Sequence, residues 1–263
     1  MQPSAAAAAG HSELRATATV ADQTYSRGIQ KIEYPHIPTQ FLFPEAVAPL
    51  VKLDLKRGKA QNVAYLMGAG DEVPDALRQI GYSVTLVKPE DLTAANLLKY
   101  DALVGGIRAY NTVDRLKTQQ PEILKYIEQG GNLVVQYTVN RGTVLPEIGP
   151  YPLTLSNDRV TVEDAPVTLT KHPLLAAPNK ITAEDFKGWV QEQGLYYPSK
   201  WDAKYQTVIS SSDPGEAPKE SAILVADYGK GHYIYTGLSL FRELPAGVPG
   251  AYRLITNMIS YGK

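Results

Sequence analysis

Asn62-Val63-Ala64-Tyr65-Leu66-Met67, closed by Gly68-Ala69-Gly70-Asp71, is the stretch that decides the fold. A short run without polar alternation reads as a strand buried on both faces, as in a parallel sheet covered by helices. The chain beyond it keeps that rhythm. Val73 to Ile80 fits a helix stopped by Gly81. Ser83-Val84-Thr85-Leu86-Val87 reads as a second strand, and Leu92 to Tyr100 as a helix entered through Pro89-Glu90-Asp91. Asp101-Ala102-Leu103-Val104-Gly105-Gly106 is a third strand with a glycine-rich exit. Pro121 to Gln129 fits a helix with proline at its start and Gly130-Gly131 beyond its end. Asn132-Leu133-Val134-Val135-Gln136-Tyr137 is the fourth strand. Strands alternating with helices imply an α/β fold: an open, mostly parallel sheet flanked by helices, joined by right-handed crossovers.

Outward from this core the pattern changes. Residues 138–220 read as a β-rich insertion, with Leu153-Thr154-Leu155 and Val160-Thr161-Val162 forming a hairpin around Asn157-Asp158. Thr182-Ala183-Glu184-Asp185 marks a helix start. Irregular stretches this long are usually functional or interfacial. Ala222–Ala226 and His232–Thr236 flank Gly229-Lys230-Gly231, a hairpin signal, and Ala251 to Ser260 closes the chain as a helix. Upstream, residues 11–58 read as an extended β arm or the remnant of a preceding β-domain, with alternation at Leu14–Val20 and Leu50–Leu55. Tyr34-Pro35-His36-Ile37-Pro38 excludes regular helix there. The α/β body is expected over 59–263. Residues 1–10 are Ala-rich and expected to be a disordered leader. They lack the basic start and apolar segment of a signal peptide, which leaves the compartment open, a periplasmic or secreted parent included.

Composition excludes several chemistries. The 263 residues carry a net charge of −1, so no electrostatic case exists for nucleic acid or an anionic membrane surface. No apolar run approaches the roughly 20 residues of a membrane span. There is no cysteine, hence no disulfide, thiolate metal site or thiol nucleophile. His11, His36, His172 and His232 are far apart, so neither a metal nor a cofactor is expected. Tyrosine is frequent, 17 against 4 phenylalanines, which suits half-buried sheet edges or polar-ligand surfaces.

Four stretches carry a resemblance: Gly68-Ala69-Gly70-Asp71-Glu72-Val73-Pro74, Gly106-Ile107-Arg108-Ala109-Tyr110-Asn111-Thr112, Gly188-Trp189-Val190-Gln191-Glu192-Gln193-Gly194-Leu195-Tyr196, and Thr236 through Gly250. From about Thr24 onward the chain resembles the C-terminal module of bacterial PIG-L (LmbE-like) family deacetylases. That resemblance implies a class I glutamine amidotransferase-like, flavodoxin-like fold, similar also to ThuA-like proteins. Deacetylase activity in that family rests on a His-Pro-Asp-Asp zinc motif in another domain. Here His172-Pro173 is followed by Leu174-Leu175, so the resemblance implies the accessory module without its chemistry.

Amidotransferase chemistry needs a nucleophile on the turn after the fourth strand, supported by a histidine and a carboxylate. Gln136-Tyr137-Thr138-Val139-Asn140-Arg141-Gly142 offers only Thr138 there, and no catalytic residue is expected. Gly237-Leu238-Ser239-Leu240-Phe241 lacks the closing glycine of a serine elbow. Asp71 fits a helix N-cap better than a phosphate cradle. In open α/β sheets, ligands bind beyond the carboxyl ends of strands. Asp71, Arg108, Tyr110, Asn111 and Gln136 would meet there, with Arg108 either contacting ligand or pairing with Asp71, Glu72 or Glu243. Arg242 and Glu243 either meet ligand or lock their loop to the sheet. Trp189, Glu192, Tyr196, Tyr197 and Trp201 form either a sugar platform or an interface. Three functions follow: a non-catalytic module binding a saccharide or a deacetylase domain, a hydrolase using Asp71 and Glu243, or a self-associating assembly domain.

Overall fold

The computed structural model describes residues 10–263. The leader expected over 1–10 therefore lies outside the described residues except for Gly10. The chain divides into two compact units, Met1–Asp54 and Leu55–Lys263.

The first unit is made of β-ribbons. β1 (Gly10–Arg15) pairs antiparallel with β6 (Val47–Lys52), β2 (Ala18–Val20) with β3 (Gln23–Tyr25), and β4 (Gln30–Tyr34) with β5 (Ile37–Leu42). Pro35-His36 turns the last hairpin, where the two prolines excluded helix. Leu14–Val20 is broken into two strands at Ala16-Thr17, and Leu53 to Leu55 stay outside β6. Glu45 bridges Arg15 at 2.7 Å and Arg27 at 3.3 Å. No residue of 10–54 is buried, and Val20, Tyr25, Ile29, Phe41 and Phe43 are more than half exposed.

The second unit holds a seven-stranded, mostly parallel sheet. Its first strands are β7 (Asn62–Leu66), β8 (Ser83–Leu86), β9 (Ala102–Gly105) and β10 (Asn132–Gln136). Helices α1 (Val73–Gln79), α2 (Ala94–Leu97), α3 (Ala109–Thr112) and α4 (Leu116–Glu128) fall between them. The insertion supplies β11 (Leu153–Val160), β12 (Val167–Leu169), β13 (Gly194–Trp201), β14 (Gln206–Thr207) and β15 (Ile209–Ser211). The chain ends with β16 (Ile223–Tyr228), β17 (Gly231–Thr236), α5 (Leu240–Glu243) and α6 (Pro249–Ser260). The sheet order is β14-β16-β17-β10-β9-β7-β8, with β8, β7, β9, β10 and β17 parallel. Among these five, numbered as they occur in the chain, the order is 2-1-3-4-5, so the winding reverses between β7 and β9. That switch point is where a doubly wound sheet opens a crevice at its carboxyl edge.

Burial explains the strand sequences. Every residue of β9 and β10 is buried, as an unalternated apolar run demands. Leu103, Leu133, Val135, Tyr126, Tyr233 and Tyr235 belong to one continuous core. Asn132 is accommodated because its amide donates to the Met258 and Ile259 carbonyls at 2.8 and 3.0 Å. Among the described residues no helix is long and apolar enough to cross a membrane, and no cluster of three His, Cys, Asp or Glu is placed to hold a metal.

Three elements differ from expectation. The helix expected at Leu92–Tyr100 is only Ala94–Leu97, because Thr93 caps it, accepting from Asn96 N at 3.3 Å. The helix expected from Pro121 begins at Leu116, with Pro121 inside, since burial of Leu116 and Gln120 holds the added turns. The hairpin around Asn157-Asp158 does not form. β11 runs straight through and pairs with β13, and the register shifts there make a bulge. Ser156 Oγ secures it, donating to Tyr197 O at 2.8 Å and accepting from Asp158 N at 2.9 Å.

Candidate functional site

The carboxyl edge of the sheet is built around Asp71. Its Oδ1 accepts from the Tyr65 hydroxyl at 2.6 Å and from Val73 N at 3.1 Å, and its Oδ2 accepts from Ile107 N at 3.2 Å. Asp71 thus braces the loop after β7 against the loop after β9, across the switch point. The true N-cap of α1 is Glu72, whose side chain makes no capping bond. Gln136 lies beneath, donating from Nε2 to the Tyr65 hydroxyl at 3.2 Å and to Gly105 O at 3.3 Å, while its Oε1 is buried without a partner. Burial, with the Asp71 charge beside it, drives the Tyr65 hydroxyl well above the usual phenol range, so it stays a donor. Gly68 and Gly106 are obligatory here. A Cβ on Gly68 would strike the Ile107 carbonyl, and one on Gly106 would stand 2.9 Å from both Asp71 Oδ2 and the Tyr65 ring.

Beside this brace an open cleft of about 340 Å³ is lined by Asp71, Glu72, Val190, Gln191, Phe241, Arg242 and Pro245. It joins the exit of β7 to the loop after β17. Arg242 Nε meets Glu192 Oε1 at 3.1 Å, and Ser239 Oγ donates to the same oxygen at 3.2 Å. Glu243 turns inward. It is wholly buried, its Oε2 accepts from Val190 N at 2.8 Å, and its Oε1 has no partner. Burial pushes its carboxyl up to about 7, against the Val190 hydrogen bond and Arg242, with Glu192 adding to the rise. Arg242 and Glu243 therefore tie the 187–193 loop to α5, and Arg242 also faces the cleft.

The remaining expected residues separate. Arg108 is exposed, makes no ion pair among the described residues, and adopts a left-handed backbone with φ +57° at the start of α3. It does not pair with Asp71, Glu72 or Glu243. Its charge, like that of Arg242, acts on the Tyr137 hydroxyl, which burial and then the neighbouring Tyr196 and Glu192 raise to about 12. Tyr110 is a core residue whose hydroxyl donates to Gln120 Oε1 at 3.0 Å. Asn111 holds the 139–141 loop, donating to Val139 O and Arg141 O and accepting from Val139 N. Neither reaches the cleft.

The five insertion residues do not share one exposed face. Trp189 is buried, stacks on Phe186 and donates from Nε1 to Asp185 O at 2.8 Å. Tyr197 is wholly buried, and Trp201 packs half-buried against the main core. Glu192 is taken up by Arg242 and Ser239. Tyr196, left-handed at φ +59°, sets its ring edge-on to Tyr137 at 5.4 Å. Phe241 completes this aromatic wall, 5.0 Å from Tyr137. Phe241, Tyr137 and Gln191 were not among the expected residues. Phe241 stands inside the irregular Thr236–Gly250 stretch, which was its only signal. Gln191, with φ +61°, stands likewise inside the Gly188–Tyr196 stretch.

The turn after β10 has none of the geometry of a nucleophile elbow. Neither Tyr137 nor Thr138 has a positive φ, the next element is β11 rather than a helix, and the buried Thr138 hydroxyl donates to Gln136 O at 3.1 Å.

No family model matches the chain, and no curated protein matches it. Solved structures do. PurLQS from Thermotoga maritima is similar with a TM-score of 0.51 and 15% identity, over 78% of this chain and 100% of that one. A ThuA-like protein from Bacteroides uniformis gives a TM-score of 0.50 and 11% identity, over 80% and 94%. A GMP synthase protein from Thermoplasma acidophilum gives 0.49 and 10%, over 76% and 92%. The likeness to the first two is one of fold: the second unit has the class I glutamine amidotransferase-like, ThuA-like architecture.

Proposed function

We propose that this chain is a non-catalytic accessory module of a PIG-L-type sugar N-deacetylase, with a saccharide as the ligand of the strand-exit cleft. The observation that carries the reading is a contrast along one sheet edge. The turn after β10 presents a capped threonine and a buried tyrosine, with no helix behind them. The neighbouring cleft presents Glu72, Asp71, Arg242 and the ring of Phe241. Carboxylates and a guanidinium suit vicinal hydroxyls, and an aromatic ring suits the apolar face of a sugar. A carboxylate has roughly four lone-pair sites, so three bonds leave Asp71 one for a ligand. The four PIG-L-like stretches supply the context.

The test is calorimetric titration of the chain with a panel of N-acetylated mono- and oligosaccharides. One or more should bind saturably, Phe241→Ala should abolish binding, and Glu72→Gln should weaken it without lowering the melting temperature of the free protein. Failure of every saccharide, together with turnover of any substrate in a hydrolase screen, would refute this function. The hydrolase reading is the weaker one, because the unpaired Glu243 oxygen is sealed from solvent and both Asp71 oxygens brace loops. A second reading, association with a deacetylase domain or with another copy, draws on the exposed apolar residues of 10–54. A monomer in sedimentation at high concentration would remove the self-association half of it.

A further inference from the structure

A larger cavity, of about 620 Å³, shares no residue with the strand-exit cleft. It is formed where β12 runs out into the segment 169–181. Leu169, Pro173, Leu175, Ala176 and Ile181 give it an apolar wall, and Lys171 and Lys180 border it. No Asp or Glu lines it, and neither lysine ammonium has an ion pair or hydrogen bond among the described residues. Thr170 also lines it, with its hydroxyl engaged by Val208 O at 2.9 Å.

The wall is preformed. Ile181 N donates to Leu175 O at 2.8 Å, and the buried Asn257 amide donates to both Leu174 O and Asn179 O at 2.7 Å. A fixed wall lowers the ordering cost of binding. His172 also lines it, its ring stacked on Tyr261 and its Nδ1 accepting from Leu174 N at 3.1 Å.

An apolar cavity of ligand size, bordered by two unpaired cations and no acid, selects its occupant by charge as well as by shape. We propose that it binds a small amphipathic carboxylate. The apolar tail lies against Leu169, Pro173, Leu175 and Ile181, and the carboxylate is held by Lys171 and Lys180. This site is independent of the saccharide reading.

The experiment is isothermal titration of the full chain with dodecanoate below its micelle concentration, with dodecanol as the neutral control. Dodecanoate should bind saturably, and dodecanol at least about tenfold more weakly. Lys171→Gln combined with Lys180→Gln should weaken dodecanoate by about tenfold or more. Ala176→Trp, at an exposed lining position, should obstruct the cavity and weaken binding with an unchanged melting temperature. Absence of binding up to about 1 mM would overturn the proposal. So would equal affinity for dodecanol, or either variant titrating like the parent chain.

Discussion

Glu243→Gln offers a direct reading of the buried carboxyl. Burial raises the Glu243 pKa from an ordinary 4.5 to about 7. A folded-state value above the unfolded one means that the native state holds this proton more tightly. The resulting stability is fully present below about pH 4.5 and is lost as the pH rises through about 7. Each pKa unit corresponds to about 1.4 kcal/mol, so the loss accumulates to about 3 kcal/mol and then levels off. Glutamine keeps a carbonyl oxygen for Val190 N and removes the titration. Its amide adds a constant offset, so the informative quantity is the change with pH. Urea unfolding of both proteins between pH 4.5 and 8.5 should show the parent losing about 3 kcal/mol relative to the variant, with most of the slope below pH 7. A difference that stays flat across that range would refute the claim that Glu243 is sealed and poorly solvated.

Other outcomes follow from single contacts. Arg108→Gly relieves a left-handed backbone at φ +57° and should raise stability by up to about 1 kcal/mol in urea unfolding. Asn257→Ala strips partners from Leu174 O, Asn179 O and Asn179 N, and should cost about 2–4 kcal/mol by the same measurement. A chain trimmed to Leu55–Lys263 retains the whole core, and should keep one cooperative thermal transition by circular dichroism.

The parallel sheet was legible because its inner strands are buried on both faces. Val63–Leu66 and Leu133–Val135 need no partner-specific information to be read as such. The Gly229-Lys230 turn was legible for the opposite reason, since its chemistry is local. Asn157-Asp158 misled because turn residues also suit bulges, and the choice was made by Tyr197 on a strand some forty residues away. At the site, chain order put Asp71 and Arg242 at strand exits. It could not show that Tyr110 turns into the core or that Asn111 is consumed by a loop. Nor could it separate Trp189, Tyr197 and Trp201, whose aromatic side chains suit a ligand platform and a packed interior alike.

The unburied ribbon at residues 10–54 has an energetic corollary. Fixing one backbone residue costs about 1–2 kcal/mol, and hydrogen-bonded ladders in water return little of it net. With no interior of its own, this segment draws its order from whatever surface it meets. Amide hydrogens of β4 and β5 should then exchange with solvent within moments in the lone chain, while those of β10 await global opening. A protease offered this molecule would start at the ribbon, and the rate at which it succeeds reports whether that surface has been found.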